Sequence, residues 1–175
     1  MKIPLIFKKE FPNTKPYKYI FIHSSECIID NHELMNLRKE NKNKDQLELL
    51  KYYWIIQKKN YDLPFHYVVH NVDDDYHVVQ YRPIVYHSVY YDKLFKHNQE
   101  IIHICLIGDY NIQMATPRLY DVLSYRLLVP LMYTYNINLN RIFLHSEIEK
   151  NSKCPGDLFI KQVLYARIQK FLIHR

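Results

Sequence analysis

The sequence predicts an α/β domain, with a mixed central β-sheet flanked by helices, and three observations predict it. A mostly apolar run from Glu100 to Ile107 stops at Gly108 and has the length and flanks of a buried central strand. Two β-rich runs, Phe65 to Asn71 and His77 to Tyr81, surround the turn residues Asp73, Asp74 and Asp75 and read as an antiparallel hairpin. Asp45 to Lys58 sets Leu47, Leu50, Trp54 and Ile55 at helical spacing with Lys51, Lys58 and Lys59 off that face, so an amphipathic helix packs on one side of the sheet.

The remaining elements follow in chain order. Residues 1–17 are rich in Lys and Pro without a sustained period and read as an arm; residues 18–175 read as one domain. The first strand spans roughly Lys18 to His23. A long polar loop runs from Ser24 to Lys44, with a short helix expected around His32 to Arg38, and loops of that length often carry function. Thr116 followed by Pro117 reads as an N-cap and first helical residue, opening a helix to about Tyr135 that Pro130 should kink or split. Arg141 to Leu144 is a short strand, and Asp157 to Leu172 a final helix entered through Pro155 and Gly156.

Composition narrows the function classes. A chain of 175 residues with 48% hydrophobic and 24% charged residues can bury a core and is not a disordered tail. The net charge of +6 favours an anionic partner such as a wall polymer, nucleic acid or acidic lipid, but the dispersed lysines form no nucleic-acid motif. No run reaches transmembrane length, and the apolar patch from Met1 to Phe7 is too brief for a signal-peptide core, so the protein is expected in the cytoplasm where it is made. Three cysteines, Cys27, Cys105 and Cys154, suit reduced thiols or a metal ligand better than a disulfide framework. With 17 Tyr and two Gly the composition is skewed, so the Tyr-rich segments from Tyr86 to Tyr91 and Tyr133 to Tyr135 carry little functional weight.

Zinc takes about four ligands, and a catalytic site keeps one of them for water or substrate, so three protein ligands is the number to seek. His23 ends the first strand, His145 ends a later one, and Cys154 follows on a loop, so adjacent strands can converge all three. Spacing alone does not single them out in a chain with ten His. Of the other histidines, His66, His70, His77, His97 and His103 read as ordinary surface or pleat residues, and Cys105 as a small hydrophobe in the central strand. Asp73 to Asp75 read as solvated turn residues, and Cys27 as an idle thiol.

The local contexts of the trio add to this. The runs Phe21-Ile22-His23-Ser24-Ser25, Ile104-Cys105-Leu106-Ile107-Gly108-Asp109-Tyr110-Asn111 and His145-Ser146-Glu147 followed by Cys154-Pro155-Gly156-Asp157 resemble the zinc-dependent N-acetylmuramoyl-L-alanine amidases, a family that includes phage amidases, bacterial muropeptide amidases and animal peptidoglycan-recognition proteins. Lesser matches keep family order: Phe65-His66-Tyr67-Val68-Val69, Val79-Gln80-Tyr81-Arg82-Pro83, Tyr86-His87-Ser88, and Asn98 before the central strand. Gly108 and Gly156, the only glycines, both fall inside motifs, where positive φ or close backbone approach would explain them.

The resemblance implies zinc held by His23, His145 and Cys154, and hydrolysis of the amide joining N-acetylmuramic acid to L-alanine in peptidoglycan or muropeptides. It aligns His87 with a groove residue and implies a groove that also uses Phe65 and Asn111. Two departures qualify it. Phe65 stands where phage and animal amidases carry a catalytic Tyr, and Cys105 where the bacterial muropeptide branch carries a catalytic Glu, so neither usual proton-handling partner is present. Ser152 and Lys153, just before Cys154, are the candidates to stabilise an oxyanion instead. The alternatives are a recognition protein that binds peptidoglycan without cutting it, and a zinc hydrolase with another substrate. An amidase without a leader would act on internal fragments or reach the wall after lysis, as endolysins do.

Overall fold

A computed structural model describes residues 17–25, 46–57, 63–73, 75–84 and 100–173. The expected arm, the loop helix around His32 to Arg38, and Cys27, Asp74, Tyr86 to Tyr91 with His87, His97 and Asn98 lie outside the described residues.

Among the described residues five strands form one mixed sheet, as expected: β1 (Tyr19–Ser24), β2 (Tyr67–Val72), β3 (Asp75–Gln80), β4 (Ile101–Leu106) and β5 (Ile142–Leu144), in the order β3-β2-β4-β1-β5. β1 is parallel to β4 and β5, and β2 is parallel to β4, whereas β2 and β3 form the antiparallel hairpin. Asp73 adopts a left-handed φ of 49° in the hairpin turn, a conformation that Asp tolerates better than most non-Gly residues. Asp75 is the first residue of β3 and not merely a solvated turn residue: its Oδ1 accepts from Nε and NH2 of Arg118, at 3.2 and 3.0 Å.

Because strand side chains alternate, the sheet has two distinct faces. Ile20, Ile22, Tyr67, Val69, Ile102, Ile104 and Leu106 point into the larger core, completed by two helices. The first is α2, a helical run in three consecutive stretches, Pro117–Val122, Leu123–Leu128 and Val129–Tyr135; the second is α4 (Lys161–Ile173), which contributes Leu164 and Ile168. Val68 and Cys105 point the other way, into a smaller core with Leu63, Phe65, Leu47, Leu50 and Tyr53. The last three belong to α1 (Gln46–Lys51) and its wider π-helical continuation Tyr52–Gln57, the amphipathic helix that the leucine spacing predicted.

Thr116 caps α2 as expected, with Oγ1 accepting from the Leu119 N–H at 3.1 Å and Pro117 at the first turn. Pro130 does not split this helix. Leu128 and Val129 keep helical dihedrals, and hydrogen bonding widens over Leu123–Leu128 so that the Val129 N–H reaches the Ser124 carbonyl. That wider turn lies just before Pro130, which has no N–H to donate. The final helix begins at Lys161 and not at Asp157, because residues 155–160 are turns and irregular chain. No helix among the described residues is long and apolar enough to cross a membrane.

A candidate metal centre at the carboxyl ends of three strands

Parallel pairing of β1 with β4 and β5 opens their carboxyl ends on one edge, where α/β sheets place their sites. The register sets Ile22 opposite Leu144, so His145, the first residue of the short helix α3 (His145–Ile148), lands beside His23. The Glu147 carboxylate accepts from the Leu144 N–H at 2.8 Å and pairs with Lys161, fixing the strand-to-helix junction. The loop after α3 then returns: the Ser146 N–H donates to the Cys154 carbonyl at 2.8 Å, and the Ser24 N–H donates to Cys154 Sγ at 3.3 Å.

Sequence positions far apart thereby meet. One donor atom from each of His23, His145 and Cys154 lies within 4.8 Å of the others, and the three side chains are all buried. The rings of His23 and His145 have centroids 4.8 Å apart. Two imidazoles and a thiol are a donor set that zinc takes, with bonds of about 2.0–2.3 Å, and they leave one tetrahedral position for water or substrate. The ligand form is the neutral imidazole, and burial favours it: desolvation first, then the neighbouring His103 and His145, hold the His23 pKa well below its ordinary value. The Ser24 N–H is directed at Cys154 Sγ, and the thiolate is the sulfur form that binds metal. The residues present therefore fit zinc.

Glycine positions bring the ligand loops together. Gly156, at φ +129°, has a Cα so close to the Tyr110 backbone that an added Cβ would lie 2.3 Å from the Tyr110 carbonyl carbon. Gly108, at φ +149°, leaves no room beside Gln113 and Tyr110. These contacts seat the segment after Cys154 on the turn after β4, where the Leu158 N–H donates to the Tyr110 carbonyl at 2.8 Å and the Asp157 N–H lies 3.4 Å from Asn111 Oδ1.

The other candidates take varied places. Phe65 is fully buried, with its ring 5.6 Å from that of His23 and edge-on to Trp54. Cys105 packs in the smaller core as the expected small hydrophobe. Ser152 Oγ accepts from the Cys154 N–H at 3.1 Å and lies 3.4 Å from His145 Nδ1. Lys153 pairs with Asp157 at 3.0 Å on the surface. Asn111 is exposed at the turn after β4.

Three neighbours escaped the sequence reading. His103 is fully buried with Nδ1 3.0 Å from His23 Nε2, and His66, also fully buried, accepts from the His103 backbone N–H on its Nδ1 at 3.0 Å. Neither is a surface residue, and His103, which does lie in the pleat of β4, also meets His23. Glu149 places Oε2 3.1 Å from His145 Nε2. It stands four residues after His145, just past the end of α3, a spacing of about one turn that brings the two side chains together.

The chain belongs to the N-acetylmuramoyl-L-alanine amidase family, whose model matches residues 13–157. That membership makes it an amidase-like enzyme. The fold is similar to that of the endolysin N-acetylmuramoyl-L-alanine amidase LysCS from Clostridium intestinale, at TM-score 0.60 and 17% identity over 92% of this chain and 93% of that one. It is also similar to a mutant of Drosophila PGRP-LB in complex with tracheal cytotoxin, at TM-score 0.56 and 16% identity over 85% and 80%. A third likeness is to the Escherichia coli amidase AmiD, solved with anhydro-N-acetylmuramic acid-L-Ala-D-γ-Glu-L-Lys, at TM-score 0.56 and 15% identity over 92% of this chain and 61% of that one. No curated protein matches the chain.

Proposed function

We propose that the protein is a zinc-dependent amidase that hydrolyses the bond between N-acetylmuramic acid and L-alanine in peptidoglycan or soluble muropeptides, with His23, His145 and Cys154 as the metal's ligands. The observation that carries this reading is the meeting of two imidazoles and a thiol within 4.8 Å in a member of an amidase family. Zinc, when bound, would polarise the amide carbonyl and bring the pKa of water toward neutrality. The chain's own groups do the rest. Ser24 holds the Cys154 sulfur, Ser152 offers a hydroxyl beside His145 to the oxygen that gains charge, and Phe65 lends an apolar wall that excludes water. Lys153 can serve the oxyanion only by leaving Asp157. The family resemblance assigns Asn111 and His87 to the proposed groove as well. The bound molecules of PGRP-LB and AmiD, tracheal cytotoxin and an anhydromuramoyl tripeptide, favour a muropeptide substrate.

The test is release of stem peptide from defined muropeptides, followed by chromatography, with zinc-loaded protein, after chelation, and after zinc is restored. Release that stops on chelation and returns with zinc is expected. Intact muropeptides after prolonged incubation with protein carrying zinc at these residues would overturn the catalytic part. A second reading, recognition of the fragment with little or no turnover, is favoured by Phe65, whose side chain has no hydroxyl to donate beside His23. A tight complex recovered uncut selects that reading.

A further inference from the structure

We propose that His103 is a positioning residue for the metal site: its Nδ1 accepts the Nε2 proton of His23 and so presents His23 Nδ1 to the ion. The inference rests on the zinc reading above and goes beyond it by assigning the tautomer of a ligand and the group that sets it.

His23 Nε2 and His103 Nδ1 are 3.0 Å apart and both residues are fully buried, so one of these two nitrogens carries the hydrogen between them. A neutral imidazole has one N–H and one acceptor nitrogen. If His103 Nδ1 were the donor, His23 would accept on Nε2 and carry its own proton on Nδ1, with no lone pair left for a metal. If His23 Nε2 is the donor, its Nδ1 lone pair is the ligand. Metal binding therefore selects the second arrangement, and His103 then carries its proton on Nε2.

The position of His103 is set from two sides. Its backbone N–H donates to His66 Nδ1 at 3.0 Å, and its carbonyl accepts from the His66 N–H at 2.9 Å. The two rings stack at an interplanar angle of 16°, and Phe21 stands edge-on to His103 at 5.8 Å. Because His66 Nδ1 accepts a hydrogen bond, His66 too carries its proton on Nε2. The buried row His66, His103, His23 thus has one sense of protonation that ends at the metal. At the other imidazole ligand, Glu149 Oε2 lies 3.1 Å from the same nitrogen, His145 Nε2. Ligand histidines commonly give their second N–H to a carboxylate, carbonyl or water. Here one gives it to a carboxylate and the other to a neutral imidazole.

The experiment uses the full chain with zinc as the probe. Competition with a chromophoric chelator is expected to show zinc affinity falling about 10- to 100-fold in His103→Phe, which keeps an aromatic ring but removes the acceptor, and largely restored in His103→Asn, whose Oδ1 can accept. Nitrogen-15 spectra of zinc-loaded wild type are expected to show His23, His66 and His103 protonated on Nε2. Wild-type affinity in a folded His103→Phe overturns the proposal, as does a His23 proton on Nδ1. If the Phe variant does not fold, the wild-type tautomers decide alone. A wild type that takes up no zinc overturns the zinc reading and this inference together, whereas zinc uptake that is indifferent to His103 overturns this inference only.

Discussion

At Phe65 a single oxygen atom separates this chain from the tyrosine-bearing amidases that it resembles. The ring is buried against Leu63, Val68 and Cys105, and its centroid is 5.6 Å from that of His23. Tyr at this position would supply the hydroxyl that the tyrosine-bearing amidases carry there, and one donor to a developing oxyanion is worth about 10²–10³ in kcat. We expect Phe65→Tyr to raise kcat on muropeptides at least tenfold with zinc content unchanged, and to cost no more than about 1–3 kcal/mol if the hydroxyl is poorly satisfied. Rates equal to wild type in a zinc-replete variant would sink this account of the departure. The convergence of the trio was legible because its members sit in local context, with His23 next to last in its strand and the Cys154-Pro155-Gly156 turn requiring a glycine. His103 was not legible. Its role depends on the register that pairs Phe21 with His103 and His23 with Cys105, so His103 and His23 share a face, and a single sequence does not specify register between strands 80 positions apart.

Elements show the same division between local and distant causes. The cap of α2 could be read from Thr116-Pro117 because an N-cap acts within its own first turn. The fate of Pro130 could not, because it depends on a wider turn in the residues before it, within a helix buried against the sheet. Thr116 also links elements, since its Oγ1 lies 3.2 Å from the Tyr76 hydroxyl of β3. Thr116→Ala is therefore expected to destabilise the fold by about 1 kcal/mol through the cap. That lowers Tm by roughly 2–4 °C for a domain of this size. Thermal melts of variant and wild type check it, and a cap of no consequence would leave the two curves superimposed. Muropeptide turnover at a temperature well below both midpoints should be unchanged.

Over the whole molecule, one face of the sheet builds the larger core while the opposite face carries the proposed metal and its histidine neighbours. The donors arrive from β1, from the start of α3 and from the loop after it, positions that only the folded chain brings within 4.8 Å. An ion held by that set binds the native state in preference to the unfolded one, and free zinc at about 100 times Kd would stabilise the fold by about 2.7 kcal/mol. For a domain of this size that is a rise in Tm of roughly 5–10 °C. The rise should vanish in Cys154→Ser, which replaces the thiolate with a hydroxyl, and on chelation. It should persist in His77→Ala, because His77 is exposed on β3, the edge strand at the other end of the sheet from β5. Melts of the three proteins with and without zinc separate the cases. A shift that survives Cys154→Ser, or that fails in wild type, would remove the metal from these residues.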